Sequence, residues 1–363
     1  MIGGQHLSES RKPHCRVAIA ILNWNGVGHL KRFLPSVVTH TGDEDGVFVI
    51  DNGSEDGSLD VLRSEFPSVH IVSLDENHGF AGGYNRGLDQ LLSEWDAEWL
   101  LLLNSDVEVT SDWLSPLLSA ANRHGWSAAQ PKIRSVERRA EFEYAGAAGG
   151  YMDRHGFMFC AGRLFDQNEL DHGQYDADRA VFWASGACLL VGTAAWQLVD
   201  GLDEDFFAHM EEIDLCWRLR NRGLAVGATS NTHVYHLGGG TLQQESPRKA
   251  FLNFRNNLFL LLKNDHRPGI RWRILLRQVL DGAAGFRFLL EGKPAFIRAI
   301  LLAHVDYRRN RPKMMAKRRE EMSICDALAS DAVSSGQYGG SIIWAFFFQG
   351  KKKFSDLDSD RFT

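Results

Sequence analysis

The chain of 363 residues has few cysteines, few prolines and no long apolar run. Its five cysteines are odd in number, form no CxxC pair and show no zinc-finger spacing. This usage predicts reduced thiols in a cytosolic protein rather than a disulfide framework. No window approaches the roughly 18 apolar residues of a membrane span. The apolar run 17–22 is shorter than the hydrophobic centre of a secretory signal, so export is not expected.

Two phosphate-binding signatures are also missing from the sequence. GxGxxG does not follow the first apolar run, which disfavours a nicotinamide-dependent dehydrogenase, and GxxxxGK[ST] occurs nowhere. The RNP, helix-turn-helix and zinc signatures of nucleic-acid-binding proteins are absent as well, so nucleic acid is not the expected target. The remaining composition, 44% hydrophobic and 24% charged, is that of an ordinary globular protein with one large domain or two moderate ones.

The net charge of −6 conceals an uneven distribution along the chain. Residues 248–320 hold 18 Lys and Arg against 5 Asp and Glu, whereas the remainder holds 22 against 41. This separation predicts two different surfaces, one basic and one acidic.

The first hundred residues alternate short β-type runs with helical ones, which predicts a mostly parallel sheet covered by helices. The predicted strands are 17–22, 47–50, 69–74 and 99–103, and the predicted helices are 29–39, 59–66 and 84–95. Farther on, we expect loops and a short hairpin over 132–178, a buried run over 181–191, an acidic loop and amphipathic helix over 201–223, and a partly mobile tail after 331.

Polar or glycine-rich segments follow all four predicted strands: NWNG, DNGSEDGS, ENHGFAGG and NSD. Ligands of such sheets bind in the crevice beyond the carboxyl ends of the strands, so these segments predict a nucleotide site. Their polarity alone is modest support, because loops are commonly polar.

Two aspartates lie just beyond the ends of predicted strands. Asp106, after WLLLLNS, could hold Mg²⁺ or Mn²⁺ against a diphosphate, although an acid that starts the turn or caps the helix after Ser111 is an equal alternative. Asp51 could accept from a nucleobase N–H or a ribose hydroxyl, whereas an Asx-turn explains DNGS equally well.

Glu211 and Glu212 open a predicted helix, where the helix dipole favours an ionised carboxylate that can act as a general base. Adjacent helical side chains diverge by about 100°, so at most one of the two faces a cleft. The alternative is that both are simple capping charges. His233 and His236, three residues apart before GGG, indicate metal binding only weakly.

Seven motifs, in order, resemble those of glycosyltransferase family 2 enzymes of the GT-A fold, particularly bacterial rhamnosyltransferase-like members that build surface polysaccharides. They extend over 17–264, about two thirds of the chain, and read VAIAILNWNG, VIDNGSEDGS, ENHGFAGGYNRG, LLLLNSDVEV, GACLLV, DEDFFAHMEEIDLCWRLRNRG and HVYHLGGG. The resemblance implies an α/β fold of GT-A type, a Rossmann-like, mostly parallel twisted sheet flanked by helices, with a helical C-terminal extension.

We expect four segments along the chain. These are an N-terminal tail over 1–14, a nucleotide-sugar-binding and catalytic domain over 15–247, a basic helical region over 248–330, and a C-terminal tail with an aromatic and basic segment over 331–363.

The resemblance also implies roles for individual residues. NSD stands at the position of the family's DXD metal motif, so that Asp106 is the only carboxylate of the triplet, and His236 matches a position that helps to ligate the metal. Glu212 matches the catalytic base, which is commonly an aspartate. The sugar donor is expected at Asn23, Trp24, Asp51, Gly83, Asn85, Asn104 and Ser105. The acceptor is expected at Glu211 and Trp183, for which core packing is the alternative.

The function that this resemblance implies is inverting transfer of a sugar, with Mg²⁺ or Mn²⁺, from a nucleoside-diphosphate sugar to a hydroxyl of a growing bacterial surface polysaccharide. The leading donor is dTDP-rhamnose, a UDP-sugar remains open, and the acceptor is a glycan or lipid-linked glycan. The alternative is a non-catalytic nucleotide-sugar-binding protein at the membrane surface, which the missing first acid of the metal triplet favours.

The basic region contains an amphipathic pattern over 272–290. Its apolar positions share one helical face and its arginines lie off that face, as in helices that bind an anionic bilayer. The apolar positions are Trp272, Leu276, Val279, Ala283, Phe286 and Leu290. The alternative is a helix packed on the catalytic domain. SIIWAFFFQGKKKF, over 341–354, is a second anchor or an oligomer contact. We therefore expect a cytoplasmic protein, peripheral on the inner face of the membrane.

Overall fold

The computed structural model describes residues 12–143, 146–238, 246–328 and 332–363. The strands in these ranges are β1 (His14–Asn23), β2 (Gly46–Asn52), β3 (His70–Leu74), β4 (Asp96–Asn104), β5 (Val107–Val109), β6 (Trp126–Ser135), β7 (Gly150–Asp153), β8 (Met158–Cys160), β9 (Arg163–Leu164), β10 (Gln167–Asn168), β11 (Arg179–Val181), β12 (Cys188–Gly192), β13 (Ala225–His236) and β14 (Gln337–Tyr338). The α-helices are α1 (Val27–Thr39), α2 (Ser58–Glu65), α3 (Gly79–Glu94), α4 (Leu114–His124), α5 (Thr193–Leu198), α6 (Glu211–Asn221), α7 (Pro247–Asn264), α8 (Ile270–Leu290), α9 (Pro294–Leu328) and α10 (Ile342–Phe347).

The central sheet has the strand order β3-β2-β1-β4-β12-β6-β13-β11, with β5 paired to β13. β1 lies parallel to both β2 and β4, and β2 lies parallel to β3. β12 then runs antiparallel to β4 and β6. The predicted mostly parallel α/β sheet is confirmed.

Helices cover both faces of this sheet because its strands are apolar on both faces. In β1, Ala18 and Ala20 contribute to the core formed with α3 and α6, whereas Val17, Ile19 and Ile21 contribute to the core formed with α1 and α4. Strands buried on both faces read as continuous apolar runs rather than alternating ones. This explains the four consecutive leucines of β4, each at most 1% exposed.

Helix α3 begins at Gly79, five residues before the predicted start at Tyr84. The Asn77 side chain accepts a hydrogen bond from the Gly79 N–H at 2.8 Å, which satisfies a backbone donor of the first turn. The glycine-rich segment that resembled a loop is therefore helical. A Cβ on Gly83 would lie 2.8 Å from Leu22 Cδ1, so this turn of α3 packs closely against the end of β1.

The buried run 181–191 is not one element. β11 ends at Val181 and β12 begins at Cys188, and the intervening segment crosses the end of the central sheet. Continuous apolar composition concealed the break, because Phe182, Trp183 and Ala184 are core residues without belonging to a strand.

A second, small sheet joins the irregular middle of the sequence to the C-terminus in the order β10-β9-β8-β7-β14. The hairpin predicted within 132–178 is present, since β7 pairs with β8 antiparallel. β14 pairs with β7, and Ile342, Phe346 and Leu357 are buried. The predicted mobility of the tail is therefore wrong for residues 332–363, which complete an aromatic core.

The basic region packs against the rest of the chain through α7 and α9. The α7 residues Leu258 to Leu262 are at most 3% exposed, and the guanidinium of Arg222, which follows α6, donates to both carboxylate oxygens of Glu321 in α9 at 3.0 Å. Lys263 in α7 lies 2.6 Å from Asp203. The basic and acidic parts thus face each other here, so the prediction of two separate surfaces is wrong for α7 and α9.

Helix α8 differs from α7 and α9 in leaving its apolar side uncovered. Only Ile274, Asp281 and Gly285 are buried, whereas Trp272 is 75% exposed and Leu290 is 74% exposed. The whole predicted apolar stripe of α8 faces outward. Among the helices of the described ranges, none has the length and apolarity needed to cross a membrane.

Close packing of α3 on the sheet gives a direct test of the fold. A Cβ on Gly87 would lie 2.4 Å from Cγ2 of the fully buried Ile50, so Gly87→Ala should lower the free energy of unfolding by about 1–3 kcal/mol in urea denaturation. Gly28→Ala in α1 is the control, because no atom lies within 4 Å of its added Cβ and no loss is expected. An unchanged free energy of unfolding for Gly87→Ala would contradict this packing.

Candidate active site

The ends of β1 and β2 meet through one amide and one carboxylate. Asn23 Nδ2 donates to Asp51 Oδ1 at 3.0 Å, and the Ser54 N–H donates to Asp51 Oδ2 at 3.1 Å. The turn contact proposed as the alternative for Asp51 is therefore present. Asn23 Oδ1 is buried and has no hydrogen-bond partner, although Asn23 is fully buried. A buried amide oxygen without a donor indicates a position where a ligand N–H or hydroxyl would be stabilised.

The NSD segment between β4 and β5 meets β13. Because β5 pairs antiparallel with β13, Asp106 lies beside the end of β13, and the Leu237 N–H donates to the Asp106 carbonyl at 3.1 Å. His236 Nε2 lies 3.1 Å from Asp106 Oδ1 and 3.3 Å from Asn104 Nδ2. His236 Nδ1 lies 3.3 Å from Glu143 Oε2.

This cluster joins three buried ionisable side chains, Asp106, His236 and Glu143, which we call the strand-end triad. Burial alone would lower the pKa of His236, but the two carboxylates override it and raise the pKa to about 10. Burial alone would raise the pKa of Asp106, but the adjacent imidazolium lowers it. Charges of opposite sign thus compensate for the loss of hydration at this position.

The triad offers one carboxylate and one imidazole of the kinds that ligate divalent ions, but not a complete cage. Among residues of the described ranges, no group of three or more His, Cys, Asp or Glu side chains is arranged to hold a metal ion. Asp106 and His236 present an oxygen and a nitrogen toward each other, and Glu143 contacts the other ring nitrogen of His236. A carboxylate behind a metal-binding histidine is a common arrangement, and Mg²⁺ sites commonly take their remaining ligands from phosphate and water. The residues therefore fit such an ion.

Glu211 and Glu212 begin α6, as predicted, after Met210 with a φ of 73°. Glu211 is buried and Glu212 is partly exposed, and each has one carboxylate oxygen that is buried without a hydrogen-bond partner. A Cβ on Gly186 would lie 3.4 Å from Glu212 Cβ and 3.6 Å from Glu212 Cγ, so residue 186 lies directly beside the Glu212 side chain.

One short segment connects Glu212 with the strand-end triad. The Ala187 carbonyl accepts a hydrogen bond from the Asn104 N–H at 3.0 Å, and the preceding Gly186 contacts the Glu212 side chain. Glu143 and Glu212 are also both close enough to Cys160 to raise the pKa of its thiol after burial. The structure thus brings Glu212 and the NSD segment to the same end of the sheet.

The ionisation of Glu212 differs from the sequence expectation. Burial outweighs three backbone hydrogen bonds and raises the pKa of Glu212 to about 7, and burial with the adjacent Glu212 raises the pKa of Glu211 well above its ordinary value. The helix dipole was expected to favour the ionised form, but loss of hydration has the larger effect here.

Four other predicted site residues occupy different surroundings. Trp24 is 47% exposed, and Ser105 lies near Asn23 across Gly26, whose Cβ would be 4.0 Å from Ser105 Oγ. Gly83 packs against Leu22, as described above. Asn85 donates to the Leu202 carbonyl at 2.8 Å and accepts from the Leu202 N–H at 2.9 Å, so its amide holds a loop.

Trp183 is 6% exposed, and its indole N–H donates to the Tyr151 carbonyl at 3.2 Å. Its ring also lies against Gly150, whose Cβ would be 2.2 Å from it. These contacts favour the core-packing alternative for this residue.

Sequence reasoning missed Glu143 entirely. It lies in the stretch that gave no regular pattern, and its only signal was a glutamate among aromatic residues in EFEYAG. Its contact with His236 depends on a loop returning beside β6, where the Glu143 N–H donates to the Ile133 carbonyl at 3.1 Å.

Comparison with known proteins shows which family and which fold the chain resembles. Residues 18–155 match the family model described as Glycosyl transferase family 2. Among solved structures, a mannosyltransferase from Pyrobaculum calidifontis, in complex with GDP-Man and Mn²⁺, superposes with a TM-score of 0.50 at 11% identity, covering 88% of this chain and 90% of that one. GalNAc-T7 with UDP, GalNAc and Mn²⁺ gives a TM-score of 0.51 at 14% identity, covering 69% and 48%. The fold is GT-A.

Two proteins with sequence similarity to this chain are rhamnosyltransferases. An N-acetylglucosaminyl-diphospho-decaprenol L-rhamnosyltransferase of Mycobacterium tuberculosis is 29% identical over 276 residues, covering 71% of this chain and 87% of the relative. A dTDP-rhamnosyl transferase, RfbF, of Shigella flexneri is 23% identical over 230 residues, covering 61% and 72%. The predicted resemblance is confirmed: the chain is similar to family 2 glycosyltransferases and, among them, to bacterial rhamnosyltransferases.

The raised pKa of Glu212 predicts a pH-dependent stability effect. A folded-state pKa of about 7, above the ordinary 4.5, means that the folded protein holds this proton more tightly than the unfolded chain. The stability that this proton provides is complete below the unfolded pKa and is lost as pH rises through about 7. Glu212→Gln should therefore raise the Tm more at pH ~8 than at pH ~5.

Exposed Glu55 is the control for this measurement, since Glu55→Gln should change the Tm equally at the two pH values. A Glu212→Gln variant with the same Tm change at both pH values would contradict a buried, weakly hydrated carboxylate.

Proposed function

We propose that this chain is an inverting glycosyltransferase that moves a sugar, with rhamnose the leading candidate, from a nucleoside-diphosphate sugar to a hydroxyl of a lipid-linked glycan. The observation that carries the proposal is the meeting of Glu212 and the NSD segment on either side of 186–187, at the end of the sheet. A proton acceptor and a diphosphate site are the two parts that single displacement needs in one cavity.

In the proposed reaction, the Glu212 carboxylate takes the proton of an acceptor hydroxyl. The acceptor oxygen attacks the anomeric carbon while the bond from that carbon to the diphosphate oxygen breaks. The electron pair leaves with the nucleoside diphosphate, the configuration inverts, and no covalent sugar-enzyme adduct forms. A base with a pKa of about 7 suits this step, because it is substantially ionised near neutral pH and still binds a proton well.

We propose that Asp106 and His236 hold a divalent ion, Mg²⁺ or Mn²⁺, and that Glu143 fixes the orientation of the His236 ring. When bound, the ion would offset negative charge on the diphosphate. His236 carries a proton when its pKa is about 10, so the proton between His236 and Asp106 must leave before the ring can ligate an ion.

The sugar donor is proposed to bind at the ends of β1 and β2. Asn23 Oδ1, buried without a partner, would accept from the nucleobase or ribose beside Asp51, and Trp24, Asn104 and Ser105 lie along the same strand ends. The named activities of the relatives from M. tuberculosis and S. flexneri support dTDP-rhamnose as donor and a lipid diphosphate-linked acceptor. A UDP-sugar remains the second candidate.

We further propose that the protein is cytoplasmic and rests on the inner face of the membrane through α8. Val279 is 61% exposed and Phe286 is 62% exposed on its apolar stripe, and Arg271 and Arg287 are exposed beside it. An apolar stripe flanked by cations fits an anionic bilayer surface, where a lipid-linked acceptor is available. In this proposal the domain over residues 15–247 catalyses sugar transfer, and the basic region over residues 248–330 supports that domain and anchors it to the membrane.

Turnover is tested by incubating the protein with Mn²⁺, a lipid-linked acceptor and each nucleotide sugar in turn, and measuring the released nucleoside diphosphate. Glu212→Gln should lower kcat by about 10²–10⁴-fold, because a general base contributes that much. EDTA should abolish release, and added Mn²⁺ should restore it. Glu94→Gln should retain the wild-type kcat, because Glu94 is exposed and ends α3 beside the start of β4, at the opposite end of the sheet. Donor binding without release, in wild type and Glu212→Gln alike, would instead support the non-catalytic binding protein.

Membrane attachment is tested by sedimentation with vesicles of phosphatidylglycerol. The double substitution Val279→Glu and Leu290→Glu should weaken binding by about tenfold or more, because two large apolar contacts are lost. Leu170→Glu is the matched control, since Leu170 is 49% exposed but lies outside α8. Equal vesicle binding by the double variant and the control would contradict a role for the α8 stripe.

A further inference from the structure

The segment before Glu211 has an unusual backbone. Phe207, His209 and Met210 have φ values of 64°, 68° and 73°, and none of the three is glycine. Left-handed conformations are unfavourable for non-glycine residues, and they persist only where the surroundings hold them. Because α6 starts immediately after Met210, this backbone sets the direction from which Glu211 and Glu212 leave the chain.

A single side chain from α7 contacts this strained segment at three points. The Nδ2 atom of Asn256 lies 2.9 Å from the Phe206 carbonyl, 2.9 Å from the Ala208 carbonyl and 2.7 Å from the His209 carbonyl. Asn256 is 0% exposed. The two N–H groups of the Asn256 amide are shared among the three carbonyl oxygens. The carbonyls of Phe206, Ala208 and His209 therefore all point toward one buried donor.

Other contacts hold the start of the same loop. Asn85 bonds both backbone groups of Leu202, and Lys263 lies 2.6 Å from Asp203. Arg255 Nη2 donates to the Asp205 and Phe206 carbonyls at 3.1 Å each. These contacts reach as far as Phe206, whereas the carbonyls of Ala208 and His209 are held by Asn256.

We infer that Asn256 is a positioning residue for sugar transfer. By hydrogen bonding to the carbonyls of residues 206, 208 and 209, its side chain fixes the strained turn from which Glu212 projects. The inference rests on the proposed role of Glu212, and Asn256 itself contacts no reacting group. A displacement of about 1 Å at a reacting group can lower the rate about 10²-fold, so the turn need relax only slightly to matter.

The chemistry of the amide explains why asparagine is required here. Asn256→Ala removes the donors and leaves buried carbonyls without partners. Asn256→Asp keeps the shape but replaces the donor Nδ2 with a carboxylate oxygen, which the three carbonyl oxygens repel. Both variants should therefore release the turn. The isosteric Asn256→Asp variant should hold the turn no better than Asn256→Ala does.

The test compares these variants with Asn264→Ala. Asn264 lies on the same helix and is also 0% exposed, but it bonds Asp214 and Leu260 rather than residues 206–209. The first measurement is hydrogen–deuterium exchange of residues 206–213, which Asn256→Ala and Asn256→Asp should speed up at least tenfold, whereas Asn264→Ala should not. Unchanged exchange in the Asn256 variants would overturn the inference, whatever the activity.

The second measurement separates positioning from a general loss of stability. Well below the Tm of every variant, kcat should fall about 10–100-fold in both Asn256 variants while the KM for the sugar nucleotide stays within about twofold. Asn264→Ala should keep a kcat within about threefold of wild type. Equal losses of kcat in the Asn256 and Asn264 variants would overturn the inference. Absence of turnover in the wild type would instead overturn the proposed function. In that case the hydrogen–deuterium exchange measurement would still decide whether Asn256 holds the turn.

Discussion

The interaction on which the rest of this structure depends is the burial of one imidazole between two carboxylates at the end of the central sheet. His236 lies between Asp106 and Glu143, and each of the three groups would be unstable alone in a dry environment. Together they connect the NSD segment, β13 and the loop after β6. The same compensation that stabilises these buried groups leaves an oxygen and a nitrogen facing each other where a diphosphate and its cation are proposed to bind.

The second carboxylate of the site has the opposite electrostatic setting. Glu212 has one buried oxygen without a hydrogen-bond donor, so burial raises its pKa to about 7. No cation offsets it among the contacts described for its side chain. The two acids at this end of the sheet thus differ in environment: the imidazolium of His236 lowers the pKa of Asp106, whereas burial raises the pKa of Glu212. Such a division is typical of sites that both bind charge and move protons.

Much of the architecture could be predicted from the sequence, because β1 to β4 are apolar runs separated by helical patterns and polar strand ends. The motif order also pointed to Asp106, His236 and Glu212, although their roles remain predictions. Local periodicity could not reveal Glu143, whose partner is 93 residues away, or the break between β11 and β12 inside a continuous apolar run. It also misjudged the start of α3, because glycines that usually mark loops are needed here for close helix packing.

The basic C-terminal region was the least predictable part, since one charge pattern serves two purposes. Cations of α7 and α9 bind acids and carbonyls around the loop before Glu211, whereas α8 turns its apolar stripe outward. The account as a whole requires Asp106, His236 and Glu212 to border one cavity. The most direct measurement is a crystal structure with nucleoside diphosphate and Mn²⁺. It should show the ion on Asp106 and His236 with Glu212 facing the space beyond the diphosphate; a diphosphate bound elsewhere, or Glu212 opening onto another cavity, would contradict the account.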